Sequence, residues 1–355
     1  MQEVPQLHPR YDWLDQARGL VVILLIVSMG TAEYSGDMVM GKAVLGSPML
    51  NHGYDYYDGW PPIITFIDLG QALFVFMMGF VGYTAFTSRL RKRGKLSAAL
   101  YGLRRVSLLY ALAGIDSVLL NYLEHGEVRW AEFLYLGTFS CIALGTLAAF
   151  ISIAIIANAD RRILVAFALM LGHALLFESP RFDHREWYED VLNLIRFPFG
   201  AAGLCIVAIA GTCFGQWYYS DLSNPTGAFK DRIVPISMYA MIGAFCMDWI
   251  QPGSHHDTTA SLQLWSVAIG GFMLMMFYAF SLAGFRFPLL SSLGKNLLLM
   301  FAVGGIVLGI YMDLLPDALL ISSPLLTLLL IGIVPIALLG ILATILDRRG
   351  IMVRA

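Results

Sequence analysis

Charge is what this sequence has least of. Asp, Glu, Lys and Arg make up 14% of its 355 residues, where a soluble globular chain carries about a quarter. Hydrophobic residues reach 58% and the mean hydropathy is +0.70, which excludes an ordinary water-soluble fold and points to a membrane. Cysteine is scarce too. Cys141, Cys205, Cys213 and Cys246 all fall in apolar stretches, with neither metal-ligand spacing nor loop positions suited to disulfides, and are expected to be buried in packing. There is no Gly-rich phosphate loop and no His/Cys cluster, so no metal is expected. A net charge of −2 gives no reason to expect a nucleic-acid partner. No small-residue cleavage site follows the first apolar run, so no removable signal peptide is expected.

What is there instead is a succession of ten apolar segments, near 19–32, 63–88, 106–122, 133–158, 163–177, 197–217, 233–251, 262–285, 289–312 and 319–346. Their lengths predict an all-α, polytopic integral membrane bundle of about ten transmembrane helices, with residues 1–355 forming a single domain. An even number of spans puts both termini on one side. With that side cytoplasmic, all basic residues except Lys42, Arg129, Arg181, Arg185 and Arg196 fall on inner connections, as the positive-inside rule demands. No internal repeat of the transporter kind stands out. Small-residue patterns such as "GFVGY" leave homo-oligomerisation open.

Ions close to hydrocarbon are functional candidates, because an unpaired one is costly. In "WLDQARGLVVILLIVSMG", Asp15 and Arg18 precede the first apolar run three residues apart, so a helix puts them on one face where they can neutralise each other. On the outer side the predicted topology gathers Asp68, Asp116, Asp248 and His173, from four different segments, which points to a polar cavity opening outward. Asp68 is the most deeply set, since "ITFIDLGQALFVFMMGF" is apolar on both sides of it. The long first outer connection contains "LNHGYDYYDGWPP", with His52, Asp58 and Trp60, and reads as an ordered lid. A histidine there can serve as general base if Asp68 or Asp58 orients it. On the inner side "SRLRKRGKLSAALYGLRR" holds seven basic residues and no acid. Such a cluster suits anionic membrane lipid, and equally the phosphates of a nucleotide-bearing donor.

The segments "LDQARGLVVILLI" and "IDLGQALFVFMMGF", with the His- and Trp-containing loop between them, resemble the heparan-alpha-glucosaminide N-acetyltransferase family and its bacterial relatives, within the transmembrane acyltransferase superfamily. Weaker matches are "RRVSLLYALAGID", "YLGTFSCIALGTLAAF" and "SLGKNLLLMF", the last resembling the family's Leu-Gly-x-Asn segment at Leu293, Gly294 and Asn296. The resemblance implies a multi-pass protein of the bacterial cytoplasmic membrane that moves an acyl group, acetyl or longer, from cytoplasmic acyl-CoA to a sugar or glycan on the outer face. It implies His52 and Asp68 as catalytic residues, and Asp15 with Arg18 as the first-helix motif. Arg89, Arg91, Arg104, Arg105, Lys295 and Asn296 are expected to hold the acetyl-CoA or other acyl-CoA donor. Asp58, Trp60, Asp116, His173 and Asp248 are expected around the acceptor. The sequence departs from the family pattern in having Met29, beside Ser28, where the family has an asparagine, and in lacking an arginine in "GTFSCIAL". The rival expectation from another class is a transporter or flippase for a polar or lipid-linked substrate, which also needs intramembrane acids.

Overall fold

The computed structural model describes residues 11–35, 64, 66–130, 138–177, 199–251, 253, 258–315 and 328–351. Within them the protein is all-α. Helix α1 (Asp12–Ser35) opens with Asp12 and Asp15, acids that suit the positive end of a helix dipole. Helix α2 (Phe66–His125) is broken at Gly94, whose φ of 79° and ψ of 177° are not helical. The arms 66–93 and 95–125 fold back on each other. Arg89 stacks 3.6 Å over the Tyr101 ring and Arg105 reaches the Met78 sulfur at 3.5 Å. Glycine is needed at this turn because a Cβ disfavours positive φ.

Helix α3 (Thr138–Ile155) turns through three residues into α4 (Ala159–Phe177), where Asn158 Oδ1 accepts from the Arg161 amide at 3.0 Å. Helix α5 (Phe199–Ser220) lies against α2 so closely that Gly79 faces the Ala208 carbonyl, while Gly211 and Gly215 face the carbonyls of Phe76 and Phe80. Small residues let membrane helices approach in this way. After a turn capped by Asn224, a π-helical turn (Phe229–Ile233) leads into α6 (Val234–Asp248). Helices α7 (Ala260–Leu282), α8 (Pro288–Lys295), α9 (Leu297–Asp313) and α10 (Val334–Arg348) complete the described chain.

Among the described residues three helices are long and apolar enough to cross a membrane, within Asp68–Leu119, Ala201–Ser220 and Ala260–Leu282, and a fourth span is obtained if α8 and α9 count as one. The surface supports that reading. Met238, Ile242, Phe245 and Trp249 form an exposed stripe on α6, and Leu338, Ile341 and Ile345 form another on α10. The buried face of α6 carries Ser237, Ala240 and Ala244 instead. On α6, large apolar side chains outside and small or polar ones inside reverse the pattern of a soluble helix, and fit an apolar solvent around that face.

Two sequence expectations are corrected. The segment 289–312 is not one helix, because α8 and α9 meet at an angle of 85°. Only a short polar stretch within 291–296 interrupts its apolar run, and there Asn296 takes a non-helical conformation (φ −118°, ψ 34°) and Gly294 lies directly on the Asp15 carbonyl, so α8 lies across α1. Nor are all four cysteines buried. Cys141 and Cys213 are, Cys205 is half-buried, and Cys246 is exposed on the outer face of α6. All four are free thiols, as expected from their positions.

Candidate functional site

The bundle has two polar ends. At one, the head of α1 meets α8. Asp15 is buried and pairs with Arg18, whose Nη1 is 3.2 Å from Asp15 Oδ1. One turn earlier, Asp12 accepts from Ser291 Oγ at 2.5 Å and from Gln16 Nε2 at 2.7 Å. Gln16 in turn accepts from the Phe287 amide at 3.2 Å, just before α8. Gly19 faces the Leu290 carbonyl, and Gly294 faces that of Asp15. Asp15 and Gly19 are thus interlocked with Leu290 and Gly294, although the two segments lie far apart in the sequence. A tyrosine-rich cluster adjoins them: Trp13 packs edge-on against Tyr218 and Tyr278 at centroid distances of 5.3 and 5.9 Å.

Two expected donor-binding residues lie beside this end and are already committed. Lys295 Nζ is 2.8 and 2.7 Å from the two carboxylate oxygens of Asp347 in α10, and Ser292 Oγ donates to the same group at 3.1 Å. Asn296 is fully buried and donates to the Ile351 carbonyl at 3.3 Å. Lys295 ties α8 to α10 and Asn296 ties the corner to the residues that follow α10, so a phosphate would have to displace Asp347 from Lys295. The α2 hairpin divides in the same way. Arg89 is spent on Tyr101 and on the Ala85 carbonyl, and Arg105 on the Tyr101 hydroxyl at 3.1 Å, whereas Arg91 and Arg104 are exposed. Of the six residues assigned to the donor, Arg91 and Arg104 are the ones presented to an incoming anion.

At the opposite end, polar side chains converge on the start of α7. Asp248, closing α6, accepts from Ser261 Oγ and from Trp265 Nε1, the latter at 2.8 Å. Gln251 Oε1 accepts from the Ala260 amide at 2.9 Å. His173 of α4 is buried, with Nδ1 3.2 Å from Gln263 Nε2. Asp68 is buried at the same level: it lies eight residues before Phe76 and Gln263 seven before Gly270, and Gly270 packs on Phe76. At about 1.5 Å per residue those offsets nearly match. His173, Asp248 and Asp68 therefore share one end of the bundle, away from Asp15 and Arg18. Asp116 lies in the second arm of α2, while its side chain, like His52, Asp58 and Trp60, lies outside the described residues.

Sequence reasoning missed several buried polar residues. Arg162 belongs by its position with the topology-setting cations, yet it is fully buried. It donates to the Ile156 carbonyl at 2.7 Å, the Thr212 carbonyl at 3.2 Å and Gln216 Oε1 at 2.9 Å, fastening the α3–α4 turn to α5. Gln263 and Gln16 carry no charge and so gave no signal inside apolar or motif stretches, although the polar run "TTASLQ" marks where α7 begins. Among the described residues no three His, Cys, Asp or Glu side chains gather as a metal site would need.

No family model and no curated protein matches the chain.

Proposed function

We propose that the protein is a membrane-embedded acyltransferase that moves an acyl group from cytoplasmic acyl-CoA to a sugar or glycan hydroxyl or amine on the opposite face. The observation that carries this reading is the interlock of the two motif segments. The Asp-x-x-Arg-Gly head of α1 and the Leu-Gly-x-Asn segment, recognised independently along the sequence, are packed backbone to backbone through Gly19 and Gly294. A further support is the separation of polar ends, which such a reaction requires because donor and acceptor arrive from opposite sides. With about ten spans and both termini in the cytoplasm of a bacterial cell, the α1–α8 end and the basic hairpin face the CoA pool. The donor phosphates rest on Arg91 and Arg104, and the thioester reaches between the helices toward the far end. His52 takes the proton of the acceptor, with Asp58 or Asp68 holding its ring.

One observation favours the transporter reading. Helices broken within a bundle are a feature of transport sites, and α8 and α9 form such a pair. The break, however, is filled by Asn296, Lys295 and Asp347 bonding to one another's elements.

The test is to incubate the purified full-length protein with acetyl-CoA and a pool of amino sugars and glycans, following CoA release and the mass of the acceptors. Acceptor-dependent release that falls about 10²–10⁴-fold in His52→Ala supports the proposal. Protein that neither binds nor consumes acyl-CoA overturns it, and substrate flux without acyl-CoA would favour the transporter.

A further inference from the structure

We infer that Gln263 is a positioning residue that keeps the proton of His173 on Nε2, so that this buried imidazole serves as a neutral hydrogen-bond donor and not as a base. The argument starts from a backbone carbonyl. Gln263 is fully buried, and its Nε2 is 2.7 Å from the Thr258 carbonyl and 3.2 Å from His173 Nδ1. A carbonyl oxygen can only accept, so the nitrogen of the Gln263 amide, and not its oxygen, must face Thr258. That settles the amide orientation without reference to the histidine. The same nitrogen carries two protons and accepts none. One proton goes to Thr258, the other points at His173, and Nδ1 must be the acceptor.

Two features show that this orientation is imposed by the fold. Thr258 has φ of 45°, a left-handed conformation unusual for a residue with a branched Cβ. Such conformations persist where the surroundings over-determine them. Gly203 of α5 provides those surroundings, since the Thr258 carbonyl and side chain occupy the space where a Cβ would lie. Further, Gln263 Oε1 is buried and meets no hydrogen-bond donor among the described residues. Turning the amide would set its oxygen against the Thr258 carbonyl, so the nitrogen stays on Thr258 and His173.

The proton placement stands apart from the acyl-transfer reading; its kinetic consequence rests on that reading. There, the proton of the acceptor passes to His52, and His173 contributes a hydrogen bond from Nε2–H at the acceptor end.

The experiment uses full-length protein labelled with ¹⁵N at histidine, in lipid nanodiscs at pH 7, with the His173 signals identified by their loss in His173→Gln. The expected spectrum has an unprotonated Nδ1 and a protonated Nε2. In Gln263→Glu the side chain near Nδ1 is a carboxylate, and a proton appears on Nδ1. Should that variant fail to fold, Gln263→Leu removes the donor and gives shifts averaged over both tautomers. A protonated Nδ1 in the wild type, or a His173 spectrum unchanged in a folded Gln263 variant, overturns the inference. If acyl transfer is established, Gln263→Leu lowers kcat on the order of tenfold and leaves the KM for acyl-CoA unchanged. A wild type inert toward acyl-CoA removes that reading and leaves the NMR result to decide this one.

Discussion

Lys295 shows how a single side chain can be read wrongly from type alone. A lysine at the inner end of a membrane helix suits a phosphate, but here its ammonium lies between both oxygens of Asp347, with side chains that are each 23% exposed. Lys295→Met should therefore lower thermal stability, by about 1–3 kcal/mol for a lost charged hydrogen bond, and leave the KM for acyl-CoA within about twofold. Arg104→Ala, on the exposed hairpin, should do the reverse. Thermal unfolding in detergent and CoA-release kinetics on the two variants separate a fastening residue from a donor-binding one. Pairing Lys295→Met with Asp347→Asn should cost less than the sum of the two, since each single change strands the other group. The sequence made Asp15 and Arg18 legible as a pair because charge and spacing are both local properties. It could not reveal Asp347 as the partner of Lys295, because that contact depends on where α8 turns. Gln263 was illegible for another reason: a neutral amide in an apolar run carries no charge to mark it, and its meaning comes from the carbonyl of Thr258.

Hydropathy reads elements well when one helix makes one apolar run and poorly when two helices share one. The arms of α2 were separable because the basic stretch around Gly94 interrupts the apolar pattern. The corner between α8 and α9 was hidden because Gly294, Lys295 and Asn296 make only a brief interruption in an otherwise apolar run, too short to mark two segments. What turns the chain there is contact: Gly294 on the Asp15 carbonyl and Asn296 on the Ile351 carbonyl. Gly294→Val should disrupt this crossing, because its Cβ would have to occupy the place of a backbone oxygen and no rotamer change can relieve that. The expected result is a loss of about 1–3 kcal/mol or more, seen as reduced yield of folded protein and a lower unfolding temperature. Gly172→Ala is the control, since nothing lies within contact of its missing Cβ. If both variants unfold alike, the crossing is not what holds α8 in place.

For the molecule as a whole, the decisive property is which residues share an end. The structure places Tyr218, Tyr278, Ser291 and Asp347 with the start of α1, and His173, Asp248 and Asp68 at the opposite end. This sorting is what the alternation of apolar segments and the bias of Arg and Lys predict, although the helical path of 289–312 differs. It also yields a test that needs no substrate. In a variant whose four native cysteines are replaced by alanine, a single cysteine is introduced either at Ser223, exposed in the α5–α6 turn, or at Glu127, exposed beyond α2. In intact cells a membrane-impermeant maleimide should label the cysteine at 127 and spare the one at 223, while inverted vesicles should give the opposite pattern. Cysteine at 246 should react with neither orientation's aqueous reagent despite its exposure, because the α6 stripe around it of Ile242, Phe245 and Trp249 is read as facing lipid. Labelling of both 127 and 223 from one side would remove the two-sided reaction proposed here, since donor and acceptor ends would then open to the same compartment. Ready aqueous labelling at 246 would instead mean that the apolar stripe of α6 faces water or a covering partner, and the orientation of that helix in the membrane would have to be redrawn.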